Sequence, residues 1–310
     1  MNPAGSRLRP LWVGLTAATV LILGAAIALC EFSVRIPSVF RTAPKTAWVE
    51  ALSRQHNASW REVEIRAADG VPLRAWWIQP QPGNGGAVVL LHGVADTRNG
   101  MLRHAGMLLK GGYAVLIPDA RGHGTSGGEI ISFGIREAGD VRRWVEWLRS
   151  AVSPTNVYGL GVSLGAAILL QTLDSPAGWR AVAAESPFAT FEAITYDRVG
   201  QLTGLRSGWL RRPLAVLAEP ALWYAQVRYG LPLRTVSPVE AVRRAQTPVL
   251  LIHGTADSNI YPYHSRILQA ANPAYVKLWE APGSEHVRVI LDHPDEYERR
   301  VRAWFEAAGN

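Results

Sequence analysis

Short apolar runs bounded by Gly, Pro and Asn recur along the chain at 87–91, 113–117, 156–160, 180–185, 247–252 and 275–281. Most are continuous rather than alternating, so they predict strands buried on both faces. Between them, 99–110, 134–150 and 164–174 carry helical spacing. Strands alternating with helices predict an α/β class fold, a mainly parallel sheet flanked by helices on both faces. Upstream, 62–67 and 73–78, joined through Asp69-Gly70, predict an opening β-hairpin, followed by a Pro- and Gly-rich linker at 80–86.

The pattern changes in two places. Residues 188–246 are too long for a simple connection and carry Trp209, Trp223, Tyr224 and Tyr229 among arginines, which predicts a helical lid inserted at the carboxyl ends of the strands. Residues 11–30 contain no charge and are flanked by Arg7 and Arg9 on one side and by Glu31 and Arg35 on the other. As a helix, such a run rises about 30 Å and can cross a bilayer core. It exceeds the usual apolar length of a signal peptide, so an uncleaved anchor is preferred, although Ala26-Ile27-Ala28 offers a cleavage site. The chain therefore divides into a tail and single-pass transmembrane anchor at 1–45 (span 11–30) and an α/β domain at 46–310. Basic residues are nearly balanced across the span; the short leading tail favours an extracytoplasmic placement of the 46–310 domain.

Net charge is +7 and the sequence pI about 9.8. No nucleic-acid motif accompanies the scattered arginines, so the basic surface beside the membrane anchor is expected to meet anionic lipid headgroups or acidic substrates, or to serve solubility alone. Cys30 is the only cysteine, which excludes an intramolecular disulfide. Leu29 before it is too bulky for a lipoprotein site, so Cys30 reads as an apolar side chain.

The run at 156–160 leads into Gly161-Val162-Ser163-Leu164-Gly165, and a helix-forming run follows. A serine on a sharp strand-to-helix turn, with glycines where helix meets strand, is the pattern of a nucleophile elbow. Thr247–Ile252 ends in His253-Gly254-Thr255-Ala256-Asp257, and 275–281 runs into Pro282-Gly283-Ser284-Glu285-His286. Asp257 and His286 thus fall on loops beyond strand ends, in the order Ser163, Asp257, His286. Upstream, 87–91 ends in His92-Gly93-Val94, where an oxyanion loop belongs.

With Asp119-Ala120-Arg121-Gly122-His123-Gly124 and Glu185-Ser186-Pro187-Phe188, these pieces span about 60 to 305, and together they resemble the α/β-hydrolase superfamily of serine hydrolases, of the esterase, lipase and prolyl-oligopeptidase-like kind. The resemblance implies the α/β-hydrolase fold and a Ser163–His286–Asp257 triad. It also implies backbone N–H groups of Val94 and Leu164 as oxyanion donors, and no metal or organic cofactor. An apolar, aromatic lid offering Trp209, Trp223 and Tyr224 points to acyl or aromatic esters as small-molecule substrates, with peptides or amides as the runner-up. One departure is Glu285, where many relatives carry a small residue; it either raises the imidazole pKa or points to solvent.

Several of these residues admit other readings. Ser163 could be a plain helix N-cap. Glu185 competes with Asp257 as the triad acid. Gly159-Leu160-Gly161 through Gly165 approximates a dinucleotide fingerprint with Glu185 as ribose-binding acid, but two βα units precede it and Asp257 and His286 would lack roles. His92, His123 and His253, in glycine-rich turns, suit loop structure. Zinc-site spacings are missing.

Overall fold

The computed structural model describes residues 4–35, 42–173, 178–204 and 218–309. Eight strands form one sheet: β1 (Ala58–Arg66), β2 (Pro72–Pro80), β3 (Gly86–Leu91), β4 (Ala114–Pro118), β5 (Asn156–Val162), β6 (Ala181–Glu185), β7 (Val249–Gly254) and β8 (Val276–Ala281). Their spatial order is β1-β2-β4-β3-β5-β6-β7-β8. β1 and β2 pair antiparallel, from Ala58 opposite Pro80 to Arg66 opposite Pro72, and β2 runs antiparallel to β4. All later pairings are parallel. The opening hairpin is longer than its apolar positions suggested, because backbone pairing continues before Glu62 through half-buried and exposed residues back to Ala58.

Eleven α-helices are described: α1 (Ala4–Val34), α2 (Thr46–Gln55), α3 (Leu102–Lys110), α4 (Glu137–Trp147), α5 (Leu164–Leu170), α6 (Phe191–Thr203), α7 (Ala218–Tyr229), α8 (Pro238–Arg244), α9 (Tyr263–Ala271), α10 (Val289–Asp292) and α11 (Pro294–Gly309). Period-two alternation in the strands sends Val88, Leu90, Leu160 and Val162 into one core with Leu108, Tyr297, Val301 and Phe305. Val89, Leu91, Val182 and Leu251 enter the opposite core, with Trp144, Ile168, Val242 and Leu268. The central strands are covered on both sides, which is why their apolar runs are continuous.

The segment after β6 does hold helices, α6 to α8, rather than a plain loop. Helix α1 contains a stretch, Trp12–Val34, that is long and apolar enough to cross a membrane by length and composition. Its last turns nonetheless join the protein core: Ala26, Cys30 and Val34, spaced four apart, are buried. Val34 O accepts the N–H of Ile131 at 2.8 Å, and Arg35 bridges to Ile130. Glu31 Oε1 accepts the hydroxyls of Tyr224 (2.9 Å) and Tyr229 (2.5 Å) on α7.

Candidate active site

Ser163 stands between β5 and α5 with φ 51° and ψ −118°, a strained conformation that L side chains rarely adopt. The fold holds it there from three sides. Its N–H donates to Glu185 O at 2.8 Å, tying the turn to the end of β6. A Cβ on Gly165 would lie 2.3 Å from Leu91 O, and one on Gly161 would lie 2.6 Å from Gly165 O. Both elbow glycines are therefore required by close approach of helix to strand, not by their own φ.

Two loops bring the remaining groups to Ser163. His286 Nε2 is 2.9 Å from Ser163 Oγ, and its Nδ1 is 2.7 Å from Asp257 Oδ2. Because the carboxylate can only accept, Nδ1 carries the proton and Nε2 is left to accept the serine hydroxyl. Val287, next along, has φ 56°, so the backbone turns sharply just after the imidazole. Asp257 is buried; its Oδ1 accepts the N–H groups of Asn259 at 3.0 Å and Ile260 at 2.9 Å. Burial alone would raise its pKa, but hydrogen bonds from His253 and His286, the charge of His286 and the Ile260 N–H outweigh it and hold the carboxyl well below its usual value.

The loop after β3 runs alongside the nucleophile. A Cβ on Gly93 would lie 3.4 Å from Ser163 Cβ and 4.0 Å from its Oγ. His92 Nε2 accepts the Ala120 N–H at 3.0 Å while its Nδ1–H reaches Gly93 O at 2.7 Å. In a trans peptide the carbonyl and the following N–H point opposite ways. Holding Gly93 O against the His92 ring therefore turns the Val94 N–H to the other side of that peptide. Leu164 begins α5, where the N–H has no acceptor within the helix.

Other expected residues fall as follows. Glu185 is buried, and its Oε1 accepts the N–H of Val289, just beyond the His286 loop. It is thus beneath that loop and closed to a ribose hydroxyl. Glu285 is exposed to solvent. Trp209 lies outside the described residues. Trp223 is exposed and lines an open cavity with Leu222, Pro232 and Leu233. Tyr224 turns its hydroxyl to Glu31. Among the described residues no group of three His, Cys, Asp or Glu could hold a metal ion.

Sequence reasoning missed several supports. His253, read as a loop histidine, has Nε2 3.3 Å from Asp257 Oδ2. Arg98 is completely buried, and its Nε donates to Asp119 Oδ2 at 2.9 Å, bracing the loop after β4. Arg121 binds Asp140 through Nε and Nη2, both at 2.7 Å. For the two arginines no sequence signal was available, since Asp119 and Asp140 are remote from them along the chain, and the four-residue spacing of His253 and Asp257 does not show that they meet.

Residues 88–300 match the model of the Alpha/beta hydrolase family. The Bacillus subtilis protein YqkD is 27% identical over 245 residues, 78% of each chain, and Escherichia coli K12 YfhR is 28% identical over 250 residues, 78% of this chain and 79% of that one. Among solved structures, the Pyrococcus furiosus esterase Pf2001 aligns with a TM-score of 0.69 at 24% identity, covering 89% of this chain and 100% of its own. An esterase from Exiguobacterium antarcticum aligns at 0.58 and 20% identity, covering 79% and 99%. Since the matched stretch runs from β3 into α11 and contains every element that carries Ser163, Asp257 and His286, the chain belongs to the α/β-hydrolase family.

Proposed function

We propose that the protein is a serine hydrolase that cleaves carboxylic esters through an acyl-enzyme. The observation that carries this reading is the hydrogen-bond chain Ser163 Oγ–His286–Asp257, at 2.9 and 2.7 Å. His286 Nε2 takes the hydroxyl proton as Ser163 Oγ attacks the acyl carbonyl, then returns it to the leaving alcohol. Asp257 fixes the imidazole tautomer and stabilises the imidazolium. The Val94 and Leu164 N–H groups receive the oxyanion; each such donor lowers the barrier by roughly 3 to 4 kcal/mol in comparable sites. Water activated by His286 then releases the acid, with no cofactor in the scheme.

Esters are preferred because the segment 188–246 is aromatic. Of the aromatic residues expected along the acyl chain, Trp209 remains the proposed contact, each added methylene contributing up to about 0.8 kcal/mol until the pocket fills, since Trp223 is 66% exposed on the outer face of α7 and Tyr224 gives its hydroxyl to Glu31. A panel of p-nitrophenyl esters and aminoacyl anilides tests this. A rise of kcat/KM with acyl length followed by a break supports the ester reading. A flat profile with faster anilide cleavage replaces it with a peptidase.

The same proposal places the enzyme on a membrane as a single-pass protein, its catalytic domain extracytoplasmic, with 1–45 as tail and anchor. Retention of α1 is supported by the burial of Ala26, which lies before the end of the Ala26-Ile27-Ala28 cleavage site, because a signal peptide destined for removal has no reason to pack into the mature core. Full-length protein is expected to stay with membranes through a carbonate wash; recovery of a shortened soluble chain from cells contradicts it.

A further inference from the structure

Helix α7 has two apolar faces. At about 100° per residue, Ala218, Ala221, Leu222 and Ala225 share one side, which packs into the core. Pro220, Trp223 and Val227 fall on the opposite side, where Trp223 and Val227 are 66% and 65% exposed. The charged residues Glu219 and Arg228 lie on the flanks between. A helix whose outer face met only water would carry its charges on that face instead.

What covers this face follows from what holds α7. Ala26 and Cys30 on α1 are small and buried, which lets the two helices approach closely. The hydroxyls of Tyr224 and Tyr229 reach from α7 to Glu31, and Arg35 closes on the same carboxylate at 2.5 Å. Glu31 and Arg35 end the apolar stretch of α1, whose remaining surface, including Leu21, Ile27 and Phe32, is exposed. α7 is thus fastened at the level where an inserted α1 would leave the bilayer. Trp and Tyr at that depth, beside Arg228 stacked on Tyr229, match the composition of a membrane–water interface.

We infer that the outer face of α7 is a second bilayer contact, which seats this helix beside α1 in the lipid headgroup region and sets the proposed hydrolase against acyl esters held in the membrane. This rests on the anchor and hydrolase readings above. The test uses full-length protein with Cys30→Ala and Val227→Cys, labelled with an environment-sensitive fluorophore in vesicles of phosphatidylcholine and phosphatidylglycerol. Labels at Leu21→Cys and Glu146→Cys report the anchor and the aqueous surface. The expected result is blue-shifted emission at 227, quenched by doxyl lipids and shielded from iodide. Iodide quenching at 227 equal to that at 146, while 21 remains in lipid, overturns the inference. So does shielding from both quenchers, which means that a second protein copy covers the face, and so does a label at 21 that lies in water. In a separate arm, Val227→Glu should lower cleavage of a vesicle-borne ester about ten-fold and leave a water-soluble acetyl ester unchanged. Equal loss on both substrates contradicts lipid delivery, whereas loss of all fluorophosphonate labelling in the parent protein contradicts the hydrolase reading itself.

Discussion

The Asp257 carboxylate oxygen that holds His286 is also approached by His253, whose Nε2 lies 3.3 Å away. That Nε2 is 2.8 Å from Ile260 O as well; with acceptors on both sides it carries the ring proton, and Nδ1 takes the Ser265 hydroxyl at 2.7 Å. The imidazole therefore ties the acid to its own loop. Replacing it by phenylalanine removes a hydrogen bond to a charged group, typically about 1.5 to 3 kcal/mol. We expect His253→Phe to lower kcat roughly 10- to 100-fold with KM little changed. An unaltered kcat in a folded variant contradicts this role.

The two acidic candidates separate cleanly by substitution. Asp257→Asn should cost roughly 10⁴ in kcat, as an amide selects the wrong imidazole tautomer. Glu185→Gln keeps an oxygen to accept the Val289 N–H and should cost far less. Steady-state rates with one ester decide it, and the reverse ranking would transfer the acid role to Glu185.

Stability toward acid follows from the same carboxylate. Its folded pKa lies below the unfolded value of about 3.9, so its contribution is complete above that pH and is lost as pH falls toward the folded pKa. The Tm difference between the protein and Asp257→Asn should be constant from neutrality to about pH 5, then shrink below pH 4. A gap that stays fixed through that range contradicts the depressed pKa.

Truncation should be sharply dependent on where it is made. Removing 1–25 leaves Ala26, Cys30 and Val34 in place, whereas removing 1–45 uncovers the core they close. Burial of a valine side chain alone contributes about 1.5 to 3 kcal/mol. The longer deletion should lower Tm by roughly 5 °C or more relative to the shorter. Equal melting of the two would show that the end of α1 is dispensable.

The sheet and the positions of Ser163, Asp257 and His286 beyond strand ends were legible in the sequence because they depend on local signals. Continuous apolar runs marked the strands, and the glycines around Ser163 marked the turn. What escaped were relationships set by folding. His253 and Asp257 are four residues apart, yet nothing in that spacing shows that they converge on one oxygen with His286. The apolar run at the amino terminus predicted a long apolar helix but not that Val34 is buried against the domain, since a solvent- or lipid-facing and a core-facing valine read alike.

The most direct test of the account is to map the adduct formed by a fluorophosphonate probe on the full-length protein by peptide mass spectrometry. A serine nucleophile activated by His286 predicts a single modification at Ser163, absent from Ser163→Ala and strongly slowed in His286→Ala, with ester hydrolysis lost in parallel. A folded protein that remains unlabelled, or an adduct on another residue that persists in Ser163→Ala, would contradict it.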